Sequence, residues 1–173
     1  MAYSAIAVAN AFIEKAKERR ISDLTPMKLQ KLVYFAHAWS LAAGNEPLIN
    51  DQVKAWKFGP VIDSIYQEFK SYGSNNITKL GTEFFYEDDG ERLIRSRFVA
   101  PTVPKTDKMA NAIIDTILEV YGDKSAYYLS NLTHEKGSAW AVTREHHQDG
   151  ENKGFVIPDA IIGETTKKEL GIE

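Results

Sequence analysis

Apolar residues recur every three or four positions along much of the chain, the spacing of amphipathic helices. Between residues 4 and 20, Ala5, Val8, Ala9, Phe12, Ile13 and Ala16 share one face, and the charged run from Glu14 to Arg20 fills the remainder. Ser4 fits as the N-cap. Arg19 and Arg20 suit the negative end of the helix dipole. Thr25-Pro26 opens a second helix: the threonine caps free N–H groups, and proline takes the first helical position, where no N–H is needed. Leu29, Leu32, Val33, Ala36, Trp39 and Ser40 trace one face of it. Tyr34, Phe35 and Leu41 add apolar surface elsewhere, so this helix is expected to be central. Gly44 is the expected stop.

Residues 46–58 read differently. Pro47, Leu48, Ile49, Val53, Ala55, Trp56 and Phe58 suggest an extended or weakly β segment. Gly59-Pro60 is expected to break it and start a third helix, with Val61, Ile62, Ile65, Tyr66 and Phe69 on its apolar side and Gly73 at its end. A β-hairpin is predicted over 84–99, with Asp88-Asp89-Gly90 as its turn. Thr106 or Asp107 then caps a helix carrying Met109, Ile113, Ile114, Ile117, Leu118 and Tyr121, stopped by Gly122. Ser125 opens a short helix to about His134, packed through Tyr128, Leu129 and Leu132. Another spans Ala139 to His147 after the Gly137-Ser138 break. Residues 148–154 read as an exposed loop. Pro158-Asp159 starts a last short helix, and the charged tail 164–173 is expected to fray. The pattern predicts a mainly α (α+β) fold. It is one compact helical domain over 1–173 with a small antiparallel β-hairpin element.

The 173 residues are 43% apolar and 26% charged, an ordinary globular composition that excludes general disorder. With no cysteine, disulfides and thiolate metal sites are excluded. That absence suits a reducing cytoplasm, the expected location. The N-terminal apolar stretch is helical in pattern and lacks a basic leader, unlike a signal peptide. No run approaches the ~18 apolar residues of a membrane span. Residues 1–86 carry ten Lys/Arg against eight Asp/Glu, and residues 87–173 eleven against sixteen. Sequence-neutral nucleic-acid binding favours a basic excess, which the −3 net charge does not offer.

Four histidines raise a metal hypothesis, but no pair lies four apart around a glutamate. His146 and His147 point to different sides of a helix. His134 reads as a local hydrogen-bonding group near a helix end, and His37 as a core histidine. No serine carries a nucleophile motif, and no glycine loop suits a phosphate. No catalytic residue, metal or cofactor is therefore expected. Lys28, Lys31, Lys54, Lys57 and Lys70 lie near several aromatics, which can suit single-stranded nucleic acid. A nucleic-acid-binding regulator is the alternative function, weakened by the acidic second half. In Trp56-Lys57-Phe58 the two rings alternate with a lysine. Either both plug the core or one is an exposed interface anchor.

The run from Met27 to Ala36 (Met-Lys-Leu-Gln-Lys-Leu-Val-Tyr-Phe-Ala) followed by Ala55-Trp56-Lys57-Phe58-Gly59-Pro60-Val61 resembles the SocA-like antitoxin family. That family is also called the Panacea domain and includes phage-associated GepA-type proteins. Ile65-Tyr66, Leu132-Thr133-His134 and Trp140 extend the resemblance, which spans about residues 4 to 162. It implies a non-enzymatic antitoxin of a toxin–antitoxin system, often prophage-encoded beside its toxin gene, that binds a cognate protein toxin directly. The SocA member is similar to an adaptor, which would add a ClpXP-type protease as a partner. Some relatives add a DNA-binding domain, for which this chain has no room. Within the motifs, Leu29, Leu32, Tyr34, Phe58, Gly59, Pro60 and Trp140 are expected to build the scaffold. Lys28, Lys31 and Lys57 are its polar members, and with Trp56 they are the candidate partner contacts.

Overall fold

The computed structural model describes residues 2–44, 46–88, 94–147 and 154–172. Five helices start where short polar residues can close their first turn. Ser4 accepts from the Ala7 N–H to open α1 (Ala5–Glu18), and Thr25 accepts from Lys28 N–H to open α2 (Pro26–Gly44). Asp107, Ser125 and Ser138 cap α4 (Lys108–Tyr121), α5 (Ala126–Thr133) and α6 (Ala139–His146) in the same way. Each cap satisfies a donor that the helix itself cannot. The helix α3 (Asp63–Phe69) continues into a 3-10 turn over Lys70–Tyr72, and α7 (Asp159–Leu170) closes the chain.

Helix α2 is buried on nearly every side between residues 28 and 38. It contacts α1, α3, α4, α5 and α7. Phe35 stacks on Tyr121 of α4 at 4.7 Å between ring centres, and Trp39 meets the same ring edge-on at 6.1 Å. The tail expected to fray is instead helical to Leu170 and lies along α2, burying Ile162, Gly163, Thr165 and Thr166. Its small residues allow a close approach that its low hydropathy did not announce.

Gly59-Pro60 does not start a helix. Residues Val53–Trp56 form β1 and Gly59–Ile62 form β2, an antiparallel hairpin with Trp56 opposite Gly59 and Ala55 opposite Pro60. Lys57 and Phe58 are its two turn residues. Gly59 adopts φ +115°, a conformation that side-chain-bearing residues avoid and that lets the chain reverse. Pro60 is tolerated because β2 is an edge strand, where its missing N–H breaks no ladder. Strand β1 is covered on its other side by residues 155–157, through Ala55 N–H to the Phe155 carbonyl (2.7 Å) and Ile157 N–H to the Val53 carbonyl (2.8 Å). The helix proper begins four residues after the glycine, at Asp63.

The hairpin predicted over 84–99 is present as β3 (Glu83–Asp88) and β4 (Ile94–Val99), antiparallel, with Phe84 opposite Phe98. Its turn at Asp89-Gly90 lies outside the described residues. Asn10, fully buried in α1, holds both roots of this hairpin. Its amide donates to the Gly81 and Pro101 carbonyls (2.9 and 2.8 Å), and its oxygen accepts from Gly81 N–H (2.7 Å). A buried asparagine with three bonds is a satisfied one.

Candidate protein-docking surface

Val53, Ala55 and Ile62 anchor the β1–β2 hairpin in the core, and most of its hydrogen bonds to the helical body run through its backbone. The Gln30 side chain pairs with Ile62 in both directions, Nε2–H to the Ile62 carbonyl at 2.9 Å and Oε1 from the Ile62 N–H at 3.1 Å. Lys31 Nζ donates to the Pro60 carbonyl at 3.2 Å. From α6, Trp140 Nε1–H donates to the Trp56 carbonyl at 2.7 Å and Arg144 to the Ala55 carbonyl at 3.2 Å. The edge of β2 that would otherwise be left unpaired is thus satisfied by side chains of α2, as buried backbone groups require.

Lys31 is the least expected member of this set. It is buried, and burial pulls its ammonium down to a pKa of about 7. A Cβ added to Gly59 would lie 2.5 Å from Lys31 Nζ, 3.1 Å from His134 Cε1 and 3.2 Å from Thr133 Oγ1. The bare glycine backbone therefore seats directly on these three side chains. His134 is fixed at the end of α5 by a 2.6 Å contact from Nδ1 to the Ser130 carbonyl, and its ring packs 4.3 Å from Trp140. This is the local role read for it in the sequence.

Lys28 is also an internal tether. It is fully buried, pairs with Asp23 at 2.6 Å and donates to the Gly122 carbonyl, just past the end of α4, at 2.7 Å. Neither Lys28 nor Lys31 can meet a partner at the surface, so both expected contacts are corrected. Their polarity is consumed by main-chain carbonyls. Leu29, Leu32 and Tyr34 are core residues as expected, and burial together with the Glu169 charge raises the Tyr34 phenol above its ordinary pKa. His37 is buried too. Its Nδ1 accepts from the Ile49 N–H (3.4 Å), which leaves Nε2–H to donate to Asp159 (3.1 Å). Burial lowers its pKa, with Asp159 partly opposing.

What the hairpin offers to solvent is its tip. Phe58, expected in the scaffold, is 75% exposed, and Lys57 is exposed beside it with Nζ 5.5 Å from the Phe58 ring centre. Trp56 is half-buried, edge-on to the exposed Tyr66 at 4.9 Å. Trp56 with Tyr66 and Lys57 with Phe58 thus form two contacts at the hairpin tip, on a backbone held by Gln30, Lys31 and Trp140. An aromatic pair and a cation on a rigid turn can anchor another protein surface. Gln30, Asn10 and Arg144 were not singled out from the sequence. The one available signal for Gln30 was its place in a helix with no continuous polar face.

The five lysines that could have suggested nucleic acid do not converge. Lys28 and Lys31 are internal, Lys54 pairs with Asp63, and Lys70 bonds Gln67 at 2.6 Å. Among the described residues, no group of three or more His, Asp or Glu could hold a metal ion, and no helix is long and apolar enough to cross a membrane.

The family model described as Antitoxin SocA-like, Panacea domain matches residues 29–141. That interval holds Gln30, Lys31, the whole β1–β2 hairpin, His134 and Trp140. Antitoxin SocA of Caulobacter vibrioides (strain NA1000 / CB15N) is 31% identical over 156 residues, covering 90% of this chain and 78% of that protein. No solved structure gives a significant match. With the match spanning most of the fold and containing the hairpin with its anchors, the chain belongs to the Antitoxin SocA-like, Panacea domain family.

Proposed function

We propose that this chain is an antitoxin that neutralises a cognate protein toxin by direct binding, with the tip of the β1–β2 hairpin as a contact surface. It acts by occupying the toxin, not by chemistry upon it. The likeness to Antitoxin SocA over 90% of the chain supports the role. The observation that carries the surface is an asymmetry within one motif. Gln30, Lys31 and Trp140 are spent on hairpin backbone, whereas Lys57 and Phe58 face solvent. Holding a turn rigid and leaving its large side chains bare lowers the ordering cost of binding.

Neutralisation by occupancy has a stoichiometry. Purified chain is titrated into the toxic product of the neighbouring gene, and residual toxin activity is read. Neutralisation complete at one equivalent supports the proposal. Neutralisation at a small fraction of an equivalent points to an enzyme and contradicts it, as does a neighbouring product that is harmless when expressed alone.

A further inference from the structure

Between residues 51 and 72 the chain carries three carboxylates and three lysines. All three carboxylates are engaged within the molecule. Asp51 accepts from the Ala5 N–H and from the Ser64 hydroxyl, both at 2.7 Å. Asp63 pairs with Lys54. Glu68 accepts from the Thr82 N–H at 2.7 Å. Lys57 and Lys70 are left over. Both are exposed, and among the described residues neither meets a carboxylate. Lys57 Nζ rests 5.5 Å from the Phe58 ring centre, and Lys70 Nζ donates to Gln67 Oε1 at 2.6 Å. Each of these cations adjoins one ring of the pair that links the hairpin to α3. Trp56 meets Tyr66 edge-on at 4.9 Å, and Lys57 follows Trp56 in the chain. The Lys70 N–H donates to the Tyr66 carbonyl, so Lys70 stands one helical turn beyond the exposed Tyr66.

We propose that the protein partner, on the antitoxin reading on which this rests, meets Lys57 and Lys70 with an acidic surface: Asp or Glu carboxylates opposing the two cations beside an apolar site for Phe58. Charge selects this occupant. The chain as a whole carries −3. A basic partner would be drawn to much of its surface, and would gain nothing from Lys57 and Lys70. An acidic partner is repelled by the whole and attracted only where cations lack carboxylates, so these two lysines fix where it docks. Nucleic acid is poorly served by the same pair. Two free cations neutralise two phosphates, against the about 6–10 contacts of a DNA-binding surface. Two carboxylates are matched one for one, and the lysines, exposed before binding, keep their charge at little cost in desolvation.

Stopped-flow association of the full chain with the purified product of the neighbouring gene, from about 20 mM to about 0.5 M sodium chloride, tests this. At low salt Lys57→Gln and Lys70→Gln are each expected to associate about threefold more slowly than the wild type, and the double variant about tenfold. At the highest salt, where the charges are screened, the rates converge. Lys105→Gln removes the same charge from an exposed position outside this stretch and associates like the wild type. Faster association of the lysine variants marks a basic partner and overturns the proposal. So do unchanged rates at low salt, or equal slowing by Lys105→Gln. If Phe58→Asp abolishes binding while the lysine variants keep wild-type rates, the docking surface stands and only its acidic partner is removed. A neighbouring product that binds at no salt concentration contradicts the antitoxin reading and this inference with it. A short single-stranded DNA bound by the wild type and released by the double variant would assign the cations to phosphate, and overturns the proposal.

Discussion

Replacing Lys31 with methionine removes a buried ammonium while keeping the length of its stem. In the folded protein burial holds this group at a pKa of about 7, against an ordinary 10.5. The folded value is depressed for a base, so between these pH values the unfolded chain binds more protons and stability rises with pH. Below about pH 7 both states are protonated and the full cost of burying the charge is present. Each pH unit in the window is worth about 1.4 kcal/mol. From pH 7 to about 9.5 the wild type should therefore gain roughly 3 kcal/mol through this one group. Above about pH 10 the trend reverses. Tyr34 and Tyr121 have raised phenol pKa values, so the unfolded chain ionises first. Urea unfolding followed by tryptophan fluorescence at stepped pH reads the slope, with a constant m-value confirming two-state behaviour. Lys31→Met should lack the rise, so its stability relative to the wild type is most favourable near neutrality and falls as pH increases. Parallel pH curves for the two proteins would refute the buried-ammonium reading.

Gln30→Leu orphans the Ile62 N–H and carbonyl together and should cost about 2–5 kcal/mol in the same assay. Asn10→Ala releases Gly81 and Pro101, so amide exchange within residues 83–88 should accelerate more than exchange in α2. Because the His37 pKa is lowered, stability should fall as pH drops below about 6.5, where the unfolded histidine protonates first; His37→Gln should flatten that slope. Trp56→Ala should cost about 1–3 kcal/mol, less than a fully buried ring, since Trp56 is only half-buried.

Much of the helical framework was legible because its signals are local. Ser4, Thr25 and Ser125 cap the helices they were expected to open, and of Thr106 and Asp107 it is Asp107 that caps α4. Gly59-Pro60 misled because the same dipeptide serves two purposes. It suits a helix start, and equally a turn whose positive φ falls on glycine and whose proline falls on an edge strand. Which one forms is decided by Gln30 and Lys31, almost thirty residues earlier. Lys31 and Lys28 read as surface contacts because polarity usually means solvent. Here it means carbonyls left over by a hairpin and by the end of α4. Phe58 looked internal by its ring alone, yet a two-residue turn directs it outward. The continuation of the C-terminal helix past Gly163 read as a fraying tail because Thr165 and Thr166 bury little apolar surface while the helix packs on α2.

The central claim is that the outward residues of the β1–β2 tip, and not the inward ones of the same motif, contact the partner. Calorimetric binding of the neighbouring gene product to wild type, Lys57→Glu and Phe58→Asp measures it most directly. Both variants should keep wild-type melting temperatures, because Lys57 and Phe58 are exposed, while their affinity falls about tenfold or more. Wild-type affinity in a properly folded Phe58→Asp would contradict it.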